Sequence, residues 1–535
     1  MCIRDRYSTL DLLEPFLESE QGSKISYRDF NVKINIPTKK AGLFSIFGIG
    51  GTNFQGVKAE KDSTLWNEDD VTSGLNVEFN QNLGVLGMSH KYLLNDRSYL
   101  KSSIVYSDYS YYDLTQKVIP WANYLDVTID ETINRDFGWG FSTEYNLKLD
   151  ARNTIRTGTS LQIKKFEYDF ISVDEDDDDS DVVPGFDSTL VQYLENSGST
   201  EFLQTYFQWQ NRFARNWELN TGVHFSYLFL NNTYSIDPRI GVKWRFQKDK
   251  SLALALGHHS KPEQISTYFI EKNDGSPFAE TPNINMEMLK AIHLVGGYHQ
   301  KINPNLRLMV EAYYQYLYNI PVSSKPGSNF SILNGTSIFN IIFENDFGSN
   351  ALVNEGTGKN YGIDFTLEKF FSQNYYFLIT GSLFDSKYKT RDEREFRTRY
   401  ANNHLLNLLG GKEWMIGQQK KYILGANLKF TYNGGLRYTP IDLQASILKG
   451  DRVNFPNSEF SARVKPYIRL DVGLSFKINR SNTTHSFLFD IQNVLDYQNI
   501  DRPFYNSDEE EIQNLKQNGI IPFVTYRWEF SGKEK

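Results

Sequence analysis

The sequence predicts an all-β protein, a large antiparallel transmembrane β-barrel. Three observations lead to this fold class: apolar and polar residues alternate along most of the chain, short and long connections follow one another in turn, and aromatic residues are abundant. The 535 residues include 33 Tyr and 38 Phe, and aromatic residues make up 15% of the chain. Such a content is typical of proteins whose rings lie at the two interfaces of a membrane.

The alternation is clearest in residues 421–433 and 467–478. Apolar or aromatic side chains occupy every second position, at Tyr422, Leu424, Ala426, Leu428, Phe430 and Tyr432, and again at Ile468, Leu470, Val472, Leu474, Phe476 and Ile478. Successive side chains of a strand point to opposite faces, so each segment has one apolar and one polar face. In a membrane barrel the apolar face contacts lipid. The residues predicted to do so are Ile34, Ile155, Leu161, Val223, Phe225, Leu308, Val310, Leu424, Leu428, Leu470, Leu474 and Val524.

The connections sort into two kinds. Short turns rich in Asn, Asp, Gly and Pro are predicted at residues 37–40, 95–97, 150–153, 215–217, 247–250, 303–305, 372–374, 417–420 and 480–482. Between them lie longer connections at 53–82, 113–133, 172–200, 260–285, 320–359, 389–399, 433–465 and 494–519, with one short exception at 231–236. Outer-membrane barrels have short periplasmic turns and longer extracellular loops, which is the pattern found here.

The predicted strands number roughly 19, which is an odd count for a barrel of this kind. The first, 27–36, and the last, 521–530, would run in the same direction. We interpret the set as about 19 strands of a 22-stranded barrel, incompletely closed because about three strands are missing at its start. The chain then divides into a fragment start and loop segment (1–25), an outer-membrane β-barrel (26–530) and a C-terminal tail (531–535). The first six residues have no secretion signal and are interpreted as foreign to the protein.

Composition excludes several classes of protein. The net charge of −8 argues against a nucleic-acid partner, and the single cysteine, Cys2, excludes internal disulfides and cysteine metal clusters. No run of about 18 apolar residues that could form a membrane helix occurs. The sequence also has no Gly-x-Ser-x-Gly elbow, Walker A loop or His-Glu-x-x-His motif, so we expect no enzymatic activity and no cofactor.

Two groups of charged residues are candidate functional sites. The acidic run at 174–181 is interpreted as a solvated loop, with cation binding through Asp174, Asp176, Asp178 and Asp181 as the alternative. The second group comprises charged residues expected to face the lumen, namely Arg156, Lys164, Arg307, Glu311, Arg469, Asp471 and Arg527. Such mixed charges could hold a plug domain inside the barrel or line a path for a solute, and the sequence leaves both roles open.

Several short motifs, in order along the chain, resemble those of TonB-dependent outer-membrane receptors, of the type common in Bacteroidetes. They are YSTLDLL at 7–13, IDPRIG at 236–241, EAYYQY at 311–316, NYGID at 360–364, GGLRYTP at 434–440, FDIQNV at 489–494 and GIIP at 519–522. The resemblance covers the barrel portion only. The family's N-terminal plug and the TonB box, which contacts the TonB complex, are not visible in this sequence.

The resemblance implies a receptor in the bacterial outer membrane that imports a bulky nutrient with energy transmitted by TonB. Its partners would be outer-membrane lipid, an extracellular nutrient ligand and, through the missing N-terminal region, the TonB complex. A passive porin or a lipid-transport barrel is the alternative, and an outer-membrane hydrolase is a third hypothesis from another class. The transported substrate stays open among siderophores, glycans, peptides and cobalamin.

Neighbouring residues of one strand test the assignment of the two faces. We expect Leu474→Arg to impair refolding into lipid vesicles, because a charge at mid-depth on the lipid face costs about 2–4 kcal/mol. The control, Ser475→Arg, places the same charge on the lumen side and should refold normally. Equal refolding yields for the two variants would show that the faces are wrongly assigned.

Overall fold

The structure is a computed structural model that describes residues 2–7, 24–59, 63–66, 74–122, 124–173, 190–271, 281–335, 351–417, 421–507 and 509–530. Strands dominate it, as the sequence predicts. In the first half of the chain they are β1 (Cys2–Tyr7), β2 (Lys24–Thr38), β3 (Gly42–Val57), β4 (Leu75–Asn95), β5 (Ser98–Ile119), β6 (Leu125–Lys148), β7 (Asn153–Val173), β8 (Leu190–Ala214), β9 (Trp217–Leu228), β10 (Thr233–Gln247) and β11 (Lys250–Lys261).

The second half contributes fourteen strands and the two α-helices of the described residues. The strands are β12 (Leu289–Asn303), β13 (Leu306–Ser323), β14 (Leu352–Ser372), β15 (Tyr375–Lys389), β16 (Glu395–Arg397), β17 (His404–Ile416), β18 (Tyr422–Asn433), β19 (Arg437–Tyr438), β20 (Ala462–Arg463), β21 (Tyr467–Asn479), β22 (Thr483–Gln492), β23 (Ile500–Asn506), β24 (Glu511–Lys516) and β25 (Ile521–Phe530). The helices are α1 (Ile265–Tyr268) and α2 (Leu443–Lys449). No helix in the described part of the chain is long and apolar enough to cross a membrane.

A single antiparallel sheet of 21 strands contains almost all of these elements. Its strands follow one another in chain order, and only the short β16 branches off, pairing beside β15. Without β16 and the six-residue β1, nineteen strands form one continuous meander, which confirms the predicted all-β fold class. Two small hairpins, β19–β20 and β23–β24, lie outside this sheet.

The two edges of the sheet are β1 and β25. Strand β1 pairs with β2, β25 pairs with β22, and no ladder between β1 and β25 is present among the described residues. Strand β1 lies within segment 1–25, which the sequence analysis interpreted as a fragment start and loop, and β2 begins at Lys24 rather than at residue 27. The tail 531–535 lies outside the described residues.

Tight connections occur at eight of the nine predicted turns, and residues 418–420 of the ninth lie outside the described part. The turn after β6 shows why these sequences turn. The Asp150 carboxylate accepts hydrogen bonds from the backbone N–H groups of Arg152 at 2.6 Å and Asn153 at 2.9 Å. This local bonding is the turn chemistry that favours Asp and Asn at such positions. These turns all lie at the same end of the strands, which we call the short-turn end. We call the opposite end of the strands the long-connection end.

One of the predicted long loops is wrong. Residues 113–133 are mostly strand, because β5 and β6 stay paired until only 120–124 connect them. The segment 109–119 contains three Tyr residues together with Thr115, Val118 and Ile119, residue types that favour a pleated surface. The strand alternation therefore continues well past the roughly 9–11 residues that a strand needs to cross a bilayer. Other long connections contain their own elements. Residues 434–466 include α2, whose N-cap Asp442 accepts a hydrogen bond from the Ala445 N–H.

The register of the ladders divides the sheet into two faces. All twelve residues predicted to contact lipid lie on one face, which we call the outer face. Leu161, for example, is linked to Ile34 through ladder partners on each intervening strand, Phe141, Ile104, Met88 and Ile46. A slip of one residue at any ladder would move the following strands to the opposite face. We call the other side of the sheet the inner face.

The inner face is apolar at the long-connection end, which the sequence analysis did not anticipate. Two connections pack there against β7, β8, β12 and β13: the β11–β12 connection, through residues 265–270 and 286–288, and the β13–β14 connection, through residues 330–332. Tyr268 and Ile270 from the first are fully buried, as is Ile320 of β13. Both connections overlap long connections predicted from the sequence, 260–285 and 320–359.

We expect Ile270→Ala to loosen the β11–β12 connection, because removing a fully buried Ile side chain costs about 2–5 kcal/mol. The measurement is hydrogen exchange of residues 262–271 in the refolded protein. Leu448→Ala is the control, since Leu448 in α2 is 88% exposed and its loss should leave exchange unchanged. Exchange rates in 262–271 that do not differ between wild type and Ile270→Ala would contradict this packing.

Candidate functional site

The seven charged residues predicted to face the lumen all lie on the inner face by register, but the structure does not bring them together. They are distributed over β7 (Arg156, Lys164), β13 (Arg307, Glu311), β21 (Arg469, Asp471) and β25 (Arg527). At least four strands lie between β7 and β13 and between β13 and β21, and only β21 and β25 are close together, on either side of β22. The inner wall therefore holds dispersed charges rather than a single constellation.

Several of these charges are paired with a near neighbour. The Arg307 Nε donates to Glu368 at 2.7 Å across the β13–β14 ladder, and the Arg469 Nε donates to Asp471 at 2.6 Å within β21. Glu311 lies 3.7 Å from the His299 ring nitrogen. Partly exposed pairs of this kind add little stability, so their main effect is to keep the wall polar. Lys164 is the member of the seven that lines a large cavity.

The cavity has a volume of about 1340 Å³ and lies on the inner face of β5, β6 and β7, beneath residues 263–266 of the β11–β12 connection. Alternate residues of the long strand ends form its wall. These are Tyr109, Tyr111 and Asp113 on β5, and Asp130, Asn134 and Asp136 on β6. Because β5 continues to Ile119 and β6 begins at Leu125, these two long strands supply the wall that lines the cavity.

Hydrogen bonds fix some of the wall groups and leave others open. Tyr111 donates its hydroxyl hydrogen to Asp113 at 2.8 Å, and Tyr168 donates to Asp136 at 2.6 Å. The Oδ2 of Asp130 and the Oδ1 of Asn134 are buried without a hydrogen-bond partner among the described residues. Buried polar atoms are normally satisfied, so these two oxygens are acceptors suited to a donor supplied by a solute.

The charge of the cavity wall is predominantly acidic. Asp113, Asp130, Asp136 and Glu263 line it, together with two lysines, Lys164 and Lys165. Burial raises the pKa of the Glu263 carboxyl above its usual range, so this group is easier to protonate than an exposed glutamate. A wall with these acceptors favours neutral or cationic solutes that carry N–H or O–H donors, and disfavours polyanions.

Gly138, which lines this cavity, allows β6 and β7 to approach each other closely. It is the ladder partner of Lys164, and its φ of +152° lies in a region that side chains other than glycine rarely adopt. A Cβ at this position would also collide with the carbonyl oxygen of Ile163. The close approach of β6 and β7 here therefore requires glycine.

The cavity is not evident from the sequence, because its β5 and β6 residues fall in or beside the region interpreted as a loop, 113–133. The alternation of Tyr109, Tyr111 and Asp113 with Tyr112 and Leu114 was the available signal. The other candidate site, Asp174, Asp176, Asp178 and Asp181, lies outside the described residues. Within the described ranges, no group of three or more His, Cys, Asp or Glu residues is arranged to hold a metal ion.

Comparison with solved structures shows the same fold in outer-membrane transport proteins. The chain aligns with the pyoverdine outer membrane receptor FpvA from Pseudomonas aeruginosa PAO1 at a TM-score of 0.63 and 11% identity, covering 99% of this chain and 73% of that one. The ferric-catecholate import receptor Fiu from E. coli K12 aligns at a TM-score of 0.62 and 10% identity, covering 94% of this chain and 74% of that one. The copper transporter OprC aligns at a TM-score of 0.59 and 11% identity, covering 95% of this chain and 72% of that one.

Sequence comparison identifies the family directly. A search of curated protein sequences found no match. Residues 23–494, however, match the family described as TonB dependent receptor-like, beta-barrel. The matched residues span nearly all of the nineteen-strand meander, from β2 through β22. The chain therefore belongs to the TonB-dependent receptor-like β-barrel family, whose members are receptors and transporters of the bacterial outer membrane and not enzymes.

Proposed function

We propose that this chain is the barrel of a receptor that imports a bulky nutrient across the outer membrane with energy supplied through TonB. The observation that carries the proposal is the family match over 23–494, combined with a cavity of about 1340 Å³ on the inner face. Sites for small molecules usually measure about 300–1,000 Å³, so this cavity suits a larger solute.

We further propose that an N-terminal plug and a TonB box, not contained in this sequence, complete the receptor, and that the receptor is of the Bacteroidetes type. The ordered motifs of the barrel support this, as does the coverage of 73% and 74% of the FpvA and Fiu chains. Arg156 and Arg527 lie on the inner face in the register, and no salt bridge within the described ranges involves either of them. We assign them to contacts with the plug or with the solute in transit.

The character of the cavity wall disfavours one kind of substrate, a strongly anionic solute. The open acceptors on Asp130 and Asn134, together with the acidic balance, favour a solute rich in N–H or O–H donors. Metal–siderophore complexes with exposed amines or hydroxyls, glycans, peptides and cobalamin all meet this description. A strongly anionic solute does not, because it would face three aspartates of the wall across low-dielectric surroundings.

A passive porin or lipid-transport barrel is the second candidate. Against it stands the apolar cluster at the long-connection end, where the β11–β12 and β13–β14 connections fold onto the inner face and reduce the open cross-section. An open pore has a polar, water-filled interior. Inward connections held by buried Tyr268 and Ile270 suit a receptor that closes over its ligand.

The cavity can be tested with two adjacent carboxylates on opposite faces of β6. Candidate nutrients of the four classes above are first screened by thermal shift, and binding of the one that stabilises the protein is then measured by titration calorimetry. We expect Asp130→Asn to weaken its affinity about tenfold, because a hydrogen bond to a charged acceptor contributes about 1.5–3 kcal/mol. Glu131→Gln removes the same charge from the outer face and should leave Kd unchanged. Equal effects of the two substitutions would show that the solute does not use this wall.

Energised transport is tested with the longest reading frame that contains this chain, expressed in a bacterium with an intact TonB system. Uptake of the labelled nutrient should stop when a protonophore abolishes the proton-motive force, whereas surface binding should persist. Uptake that continues unchanged after the protonophore would identify a passive barrel instead.

A further inference from the structure

Strands β10 and β11 separate before they reach the long-connection end. Their ladder ends at the pair Arg239–Gly257. Beyond it, residues 233–238 of β10 pair with β9, and residues 258–261 of β11 pair with β12, but not with each other. Pro238, which has no N–H to donate, is the first residue of β10 beyond the ladder. The wall therefore contains a local split between two adjacent strands.

A buried carboxylate joins the separated strands. The Asp237 side chain is fully buried, and its Oδ1 accepts hydrogen bonds from the Ser235 hydroxyl at 2.7 Å, the Ser260 hydroxyl at 2.8 Å and the His258 Nδ1 at 2.7 Å. The His258 Nε2 lies 2.6 Å from the Tyr318 hydroxyl on β13. These side chains provide polar contacts where backbone pairing is absent, which an apolar environment requires.

The split opens a groove of about 990 Å³ on the outer face. Its floor is apolar, formed by Ile236, Pro238, Ile240, Leu256 and Ile292. Its polar rim comprises Lys290, Tyr318 and His258 together with Glu287, whose carboxylate lies 3.4 Å from the Lys290 ammonium. An elongated apolar floor that ends in hydrogen-bonding groups has the polarity of an amphiphile.

The groove lies at the level of the outer membrane surface. Strand β9 has only 12 residues, close to the roughly 9–11 that a strand needs to cross a bilayer, so the β9–β10 tip rises little above it. The groove residues Ile236, Ile240 and Leu256 are 58%, 49% and 48% exposed. They continue the row of exposed apolar residues on the outer face, such as Leu254 and Leu252, without interruption. The surroundings of this groove are therefore the outer lipid leaflet.

We propose that the groove between β10 and β11 is a specific binding site for one acyl chain of an outer-leaflet lipid. The chain lies on the Ile236, Ile240 and Leu256 floor, and the lipid's polar head contacts Lys290 and Tyr318. The site is set apart from the rest of the lipid-facing surface by the separation of β10 from β11 and by its polar end. It requires no contribution from a plug or a nutrient.

The test uses the refolded chain in phosphatidylethanolamine vesicles that contain a phosphatidylethanolamine with a photoreactive diazirine in one acyl chain. After illumination, mass spectrometry maps the labelled residues. We expect labelling of Ile236, Ile240 and Ile292 to exceed that of Leu383, a belt leucine of β15 that is 67% exposed, by about fivefold. Leu256→Trp should fill the groove and abolish this excess. Leu254→Trp, two residues away on the same face and outside the groove, should leave it intact.

A second substitution, Ile240→Trp, fills the same groove from β10 and replaces Leu256→Trp if that variant does not insert. Labelling of the groove no stronger than that of Leu383 would overturn the proposal. So would an equal loss of labelling in Leu254→Trp and the groove-filling variants. A groove that stays unlabelled because a protein partner co-purifies on it would also refute a lipid site.

Discussion

The hydrogen-bond ladder of the backbone is the constraint on which the rest of this protein depends. Inside a bilayer, each backbone N–H and C=O needs a partner, and neighbouring strands supply it. Antiparallel pairing between consecutive strands satisfies this with the shortest connections, which explains a meander of nineteen strands in chain order. Once paired, the two-residue period assigns every side chain to the outer or inner face, so the lipid surface and the inner wall are set by the same register.

The wall that results is uneven in height. Strand β8 has 25 residues and β9 has 12. On the tall side, the outer face carries an ion pair between Arg135 and Asp108 at 2.8 Å, beyond the aromatic pair Tyr106 and Trp139. Charges of this kind belong in water and aromatic rings at the interface, so the strands β5–β7 project beyond the membrane. The cavity of about 1340 Å³ lies against this projecting wall, and the groove between β10 and β11 lies where the wall is low.

The inner face changes character along its depth. Paired and dispersed charges such as Arg307–Glu368 and Arg469–Asp471 keep part of it polar. At the long-connection end, the ring of Phe166 on β7 contacts the ring of Phe269 in the β11–β12 connection, with centroids 4.9 Å apart. This contact belongs to the buried cluster that also contains Phe170, Tyr268 and Ile270. Residues 263–266 of that same connection form the cover of the cavity. Packing of the connection and accessibility of the cavity are therefore coupled, because one short segment contributes to both.

The sequence by itself determined the all-β class, eight turns of the described residues and the membership of each face, because the strand period and the Asn, Asp, Gly and Pro turn chemistry act over a few neighbouring residues. It could not determine where paired strands end. The residues 113–133 form a ladder instead of a loop since Tyr112 and Thr115 find partners across the sheet, at Ile133 and Asp130.

For the same reason, neither the cavity nor the groove could be predicted from the sequence. The cavity requires β5, β6, β7 and the distant residues 263–266 to meet, and the groove requires β10 and β11 to separate at Pro238. Both depend on contacts between segments far apart in the chain, which only the tertiary structure decided.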